Sequence, residues 1–210
     1  YFQQGDEVQT GVEIVSVDTA APSITVDGGD WLGADGTNSA KRISRSLRFN
    51  SADSAYLSRT PSSEGNRKTW TWSGWVKLSS TGDAALFGAP NAEIYIHDNI
   101  LRFYQDIGGA GEVRTDAVFR DYSAWYHYVI ACDTTQDTAS DRVKIYVNGV
   151  EESLNGTYLA KDTNVGINAA NEHRIGRTNY SNPYFDGYLA DVHFIDGQAL
   201  APTDFGEFDN

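Results

Sequence analysis

The 210-residue chain carries 29 acidic residues against 16 basic ones, a formal net charge of −13. That balance excludes a backbone-reading nucleic-acid role, because such binding relies on Lys and Arg to neutralise phosphates. The single Cys excludes an internal disulfide, and no run approaches the roughly 20 apolar residues that a membrane-spanning helix needs.

Residues 1–5, YFQQG, read as the tail of an engineered protease-cleavage site and are set aside. Residues 6–45 are expected to form a small hairpin and a linker. Residues 12–17 and 23–26 are two strand-like runs joined by DTAAP, and a stretch rich in Gly, Asn, Ser and Asp follows. Such a hairpin buries no core of its own, so it is expected to dock on the main domain or on a neighbouring subunit.

From residue 46 onward the chain reads as a run of short strands. Residues 46–49 and 55–58 come first, then 70–78, in which Trp70, Trp72, Gly74 and Val76 share one face by simple alternation and are the predicted core side. Thr71, Ser73, Trp75 and Lys77 take the opposite face. Residues 84–88, 93–97 and 100–104 form a meander that turns at His97, Asp98 and Asn99, and 112–119 lead into the next hairpin.

That hairpin, residues 125–149, is the most regular stretch. Residues 125–132 are dense in aromatic and β-branched side chains, and 142–147 alternate in period two. Asn148 and Gly149 then supply the pair that accepts the positive φ of a type I′ turn. Residues 150–159 continue as strand, 161–172 are a polar loop, 185–195 are the last long strand, and 199–205 form one helical turn. About a dozen strands with no sustained 3.6-residue period define an all-β, two-sheet antiparallel sandwich.

Three motifs carry a resemblance. WYHYV followed by KIYVNGV, the early TWTWSGWVK, and HRIGR followed by FDGYLADVHFI stand in an order that resembles laminin-G-like and pentraxin-like domains, the concanavalin A-like jelly rolls. The resemblance spans about residues 46–210 and implies a jelly-roll sandwich there. The wording SLRFN, AYLSRTPSS, KTWTWSGWVK, FIDGQAL and FGEFD also resembles fibre- or tail-associated proteins of marine bacteriophages.

The same resemblance raises the question of catalysis, since the fold hosts glucanases. Their carboxylates follow a Glu-x-Asp-x-(x)-Glu pattern on one strand, and no such run occurs here. Asp186 and Asp196 share a strand parity, with Asp191 opposed, but ten strand residues span roughly 33 Å, far beyond the ~5–5.5 Å of a retaining pair. His97, His127, His173 and His193 have no Gly-x-Ser-x-Gly elbow to serve and no metal-ligand spacing, so each reads as a structural side chain. Cys132 reads as a small buried hydrophobe, and the aspartates of 133–141 as a solvated loop.

The relatives imply a calcium site at loops on one edge or face of the sandwich. Asp83 and Asn179 occupy the corresponding places, a thin donor set for an ion that takes six to eight oxygens. The second of these loops is better equipped for sugar. Tyr180 and Tyr184 offer apolar ring faces, while Arg177, Asn179 and Asn182 offer fixed donors and acceptors.

The expectation is a non-catalytic carbohydrate-recognition domain, an adhesin on the extracellular face of a virion fibre, tail or capsid decoration. It would bind host surface glycan beside other virion proteins, with a homotrimer as the candidate assembly and neither nucleic acid nor membrane insertion involved. The competing expectations are a fibre module that oligomerises and binds nothing, and a polysaccharide depolymerase.

Overall fold

The computed structural model describes residues 45–79, 83–106, 111–178 and 184–206. The expected N-terminal hairpin and linker lie outside the described residues, apart from Arg45. In chain order the strands are β1 (Leu47–Phe49), β2 (Leu57–Arg59), β3 (Thr69–Leu78), β4 (Ala84–Ala89), β5 (Ala92–His97), β6 (Ile100–Gln105) and β7 (Gly111–Thr115). There follow β8 (Tyr126–Asp133), β9 (Val143–Val147), β10 (Val150–Glu151), β11 (Leu154–Thr157), β12 (His173–Ile175) and β13 (Gly187–Asp196). All pair antiparallel, in a six-stranded sheet ordered β1-β13-β3-β8-β9-β10 and a seven-stranded sheet ordered β11-β7-β6-β5-β4-β12-β2.

This is the expected jelly-roll sandwich. The Trp-rich β3 sits at the centre of its sheet, flanked by β13 and β8. Trp70, Trp72 and Val76 are fully buried, whereas Trp75 on the other face is half-buried and tilted against the His127 ring at 5.0 Å. The facing layer supplies Leu86, Phe87, Ile94, Ile96, Leu101, Phe103 and Val113. Trp70 meets Phe103 edge-on at 5.5 Å and stacks on Phe194 at 5.8 Å, while Trp72 stacks on Phe87 at 6.5 Å. Such aromatic pairs add about 0.5–1.5 kcal/mol each beyond the area they bury.

The turn chemistry sets the registers. Asn148 and Gly149 have φ of 49° and 84°, the two positive values a type I′ turn requires. Asp98 and Asn99, at 54° and 63°, make a second such turn and pair His97 with Ile100. The strand expected over 112–119 ends at Thr115, whose hydroxyl donates to the Ala117 carbonyl and bends the chain away. The expected helical turn over 199–205 is a single 3-10 turn at Pro202–Asp204. Thr71 ties that C-terminal segment to the outside of the six-stranded sheet, donating to the Gln198 carbonyl and accepting from the Leu200 N–H.

One expectation is corrected. A bulge between Ala190 and His193 inserts an extra residue into β13. It reverses the alternation, so that Leu189 is the buried position before it and Phe194 packs on the core after it. Asp186 and Asp196 therefore do not share a parity. Asp191, at φ 45°, sits in the bulge itself.

Because Trp72 is wholly buried at the seam between the sheets, Trp72→Ala is expected to destabilise the fold by about 3–5 kcal/mol in denaturant titration.

Candidate functional site

The outer face of the seven-stranded sheet is made by the same alternation that builds the core. Burying Ile94, Ile96, Leu101, Phe103 and Val113 turns Glu93, Tyr95, Arg102, Tyr104, Glu112 and Arg114 outward. Register then aligns them. Ser58, Arg174, Gly88, Glu93, Tyr104, Glu112 and Thr157 stand opposite one another in a single row across all seven strands. At about 4.8 Å per strand the row is roughly 29 Å long. A second row beside it runs through Tyr95, Arg102, Arg114 and Asn155.

The two rows are bonded together. Glu112 accepts from the Tyr95 hydroxyl at 2.9 Å and from the Arg102 guanidinium at 3.1 Å. Arg114 donates to Asn155 at 2.7 Å and lies 3.8 Å from Glu112. Glu93 differs from its neighbours. It is only 4% exposed, and its Oε2 has no hydrogen-bond partner among the described residues. Burial raises its pKa; a hydrogen bond from Thr178 opposes that and the nearby Glu112 reinforces it. Gly88 makes this burial possible, since a Cβ there would stand 3.2 Å from the Thr178 Cα.

Thr178 belongs to the loop from which the sugar-binding residues were expected. Gly176, at φ 82°, leaves no room for a side chain, because a Cβ would come within 2.6 Å of the Phe49 ring. The Phe185 N–H donates to the Gly176 carbonyl at 2.9 Å and closes the base of the loop. Arg177 and Tyr184 are brought together. The Arg177 guanidinium lies over the Tyr184 ring at 4.9 Å and over the Tyr56 ring at 5.3 Å, and the two rings are 6.2 Å apart. Arg174 covers Tyr56 at 5.7 Å. Asn179, Tyr180 and Asn182 lie outside the described residues.

Asp83 sits at the other end of β4 from Gly88, five strand residues or roughly 17 Å away. Its carboxylate is bonded to His97 Nδ1. Among the described residues no group of three or more His, Cys, Asp or Glu side chains converges to hold a metal. The described donors around Asp83 do not make a calcium cage, which needs six to eight oxygens. Asn179, its expected partner, is outside the described residues.

The remaining polar candidates have structural partners. His127 bonds the Ser73 hydroxyl at 2.8 Å. His173 Nε2 accepts from the Asn168 N–H and Nδ1 donates to the Asn171 carbonyl, a fixed neutral tautomer whose pKa burial lowers. Asp186 pairs with Arg48 at 2.8 Å, and Asp196 accepts from the Asn66 N–H and the Asn168 side chain. Cys132 is buried, and burial pushes its thiol up. In the 133–141 loop Asp133 accepts from Thr135 and Gln136, Asp137 pairs with Lys161, and Asp141 lies 3.8 Å from Lys144. These carboxylates do not converge.

The outer face thus carries a polar and aromatic strip on a jelly-roll sandwich. Residues 50–204 match the family described as the Concanavalin A-like lectin/glucanases superfamily, and the chain belongs to it. Among solved structures it is similar to domain 4 of AbnA, a GH43 extracellular arabinanase from Geobacillus stearothermophilus solved in complex with arabinotriose. That match has 21% identity and a TM-score of 0.61, covering 94% of this chain and 86% of that one. It is also similar to the binding domain of botulinum neurotoxin serotype D/C, at 12% identity and a TM-score of 0.55, covering 77% of this chain and 42% of that one. No curated protein sequence matches the chain.

The sign of the Glu93 effect is testable. With its folded pKa above the ordinary 4.5, the native state binds the proton more tightly than the unfolded chain does, and between the two pKa values it keeps a proton that the unfolded chain releases. Stability therefore falls as pH rises from about 4.5 through the folded value. Glu93→Gln is expected to unfold with the parent near pH 4 and at a higher temperature than the parent at pH 7–8, read by thermal melts across that range.

Proposed function

We propose that this chain is a non-catalytic carbohydrate-recognition domain, an adhesin on a phage virion fibre, tail or capsid decoration that binds host cell-surface glycan. The binding surface is the outer face of the seven-stranded sheet, together with the loop that holds Arg177, Asn179, Tyr180, Asn182 and Tyr184. The observation that carries this reading is the joining of the Arg177, Tyr184 and Tyr56 cluster to one end of the polar row, where Arg174 belongs to both. Ring faces and fixed donors beside a long polar strip are what an extended, hydroxyl-rich ligand requires. Superfamily membership and the arabinotriose complex of the similar arabinanase domain support it. The virion setting rests on the resemblance of the SLRFN, KTWTWSGWVK and FIDGQAL wording to phage fibre and tail proteins.

One observation favours the depolymerase reading. Glu93 and Glu112 flank Tyr104 in the same row, two strand spacings or about 9.6 Å apart along the sheet. Burial raises the Glu93 pKa while Glu112 is ion-paired with Arg102, and two carboxyls in unlike environments are what glycoside hydrolysis uses. Against it, both Glu112 oxygens are engaged by Tyr95 and Arg102, and Thr178 covers Glu93. A flat time course of reducing-end release from bacterial surface polysaccharides is expected. Release that Glu112→Gln abolishes would establish the hydrolase instead.

For binding, Tyr180→Ala and Tyr184→Ala are each expected to weaken glycan affinity roughly two- to tenfold, the loss of one stacked aromatic. The melting temperature should stay near that of the parent. Titration calorimetry against the glycan that most raises the unfolding temperature reads both outcomes, and parental affinity in both variants would remove this loop from the site.

A further inference from the structure

The corner around Tyr56 is basic in a chain whose net charge is −13. Arg174 and Arg177 both lie over the Tyr56 ring. The nearest acid, Glu172, is committed to Arg174, accepting from its Nε at 2.9 Å and from a terminal nitrogen as well. The Glu172 carboxyl is held low chiefly by that hydrogen bond, with a weaker pull from Arg177.

Arg177 is arranged differently from the other arginines on this face. Arg102 and Arg114 face Glu112, and Arg174 faces Glu172. No described carboxylate forms an ion pair with Arg177, whose described contacts are the two tyrosine rings. The rings hold the guanidinium by cation–π attraction, and among the described residues its N–H donors have no hydrogen-bond acceptor. A guanidinium is a planar fork that matches a carboxylate through two parallel hydrogen bonds, and holding it in place beforehand lowers the entropy lost on binding.

We propose that Arg177, held by Tyr56 and Tyr184, receives the carboxylate of an acidic sugar, so that the glycan recognised is anionic. This rests on the carbohydrate-recognition reading and adds the ligand's charge to it. The long polar row beside the corner then takes the hydroxyls of the sugars that follow.

The experiment compares trigalacturonate with its trimethyl ester, which keeps the ring hydroxyls and removes the charge. Titration calorimetry is run on the parent chain, Arg177→Gln and Arg177→Lys, alongside a panel of neutral oligosaccharides. The parent is expected to bind the acid about tenfold more tightly than the ester, the discrimination of a hydrogen bond to a charged group. Arg177→Gln should bind both forms equally. Arg177→Lys, which keeps the charge without the fork, should retain part of the preference, and it keeps the test intact if the Gln variant does not fold. Equal binding of acid and ester by the parent, or an undiminished preference in Arg177→Gln, overturns the assignment. Binding of neutral oligosaccharides alone overturns it while leaving the recognition reading standing, and binding of no sugar at all overturns both.

Discussion

The aromatic seam between the sheets is what the rest of the structure depends on. Trp70, Trp72 and Phe194 reach across from the six-stranded sheet to Phe87 and Phe103 on the seven-stranded one. Each strand that sends a ring inward sends its next residue outward. Phe103 and Tyr104 are one such pair, and so are Phe87 and Gly88. The placement of the outer row is thus a consequence of core packing. A shift large enough to disorder the row would have to separate stacked rings first.

The same coupling explains how a strongly acidic chain tolerates Glu93. Its neighbours on the outer face are paired, Glu112 with Arg102 and Tyr95 and Arg114 with Asn155. Glu93 lies under Thr178, where removal of water disfavours the charged form. The face thus holds one carboxyl in reserve among groups whose charges are balanced locally.

Much of the architecture was legible in the chain because its signals are local. The period-two pattern of 143–147 and the Asn148–Gly149 pair describe a hairpin within a dozen residues, and the backbone angles agree. The β13 bulge left no such mark. An inserted residue in a strand changes alternation without changing composition, so Asp186 and Asp196 were assigned a common parity that the fold does not keep. The outer row was hidden for another reason. Ser58, Arg174, Glu93, Tyr104 and Glu112 come from five strands, and only register brings them into line. Glu93, Tyr95 and Glu112 were visible as outward positions of predicted strands, but nothing local distinguished them from solvated surface. At the loop, Arg177 and Tyr184 could be paired from their closeness in sequence, whereas Tyr56 could not, since it arrives from more than a hundred residues away.

The closure of that loop has a consequence for how such a domain changes over time. Gly176 and Phe185 are locked at its base, the first by the Phe49 ring and the second by burial and an edge-on contact with Phe49 at 5.6 Å. Between them run eight positions, of which Thr178 alone among the described residues is buried. The segment is a cassette in the engineering sense. With Thr178 kept as its support on the sheet, the half-buried positions Arg177 and Tyr184 can be exchanged while both splice points stay anchored, so one sandwich could carry different surfaces at this corner.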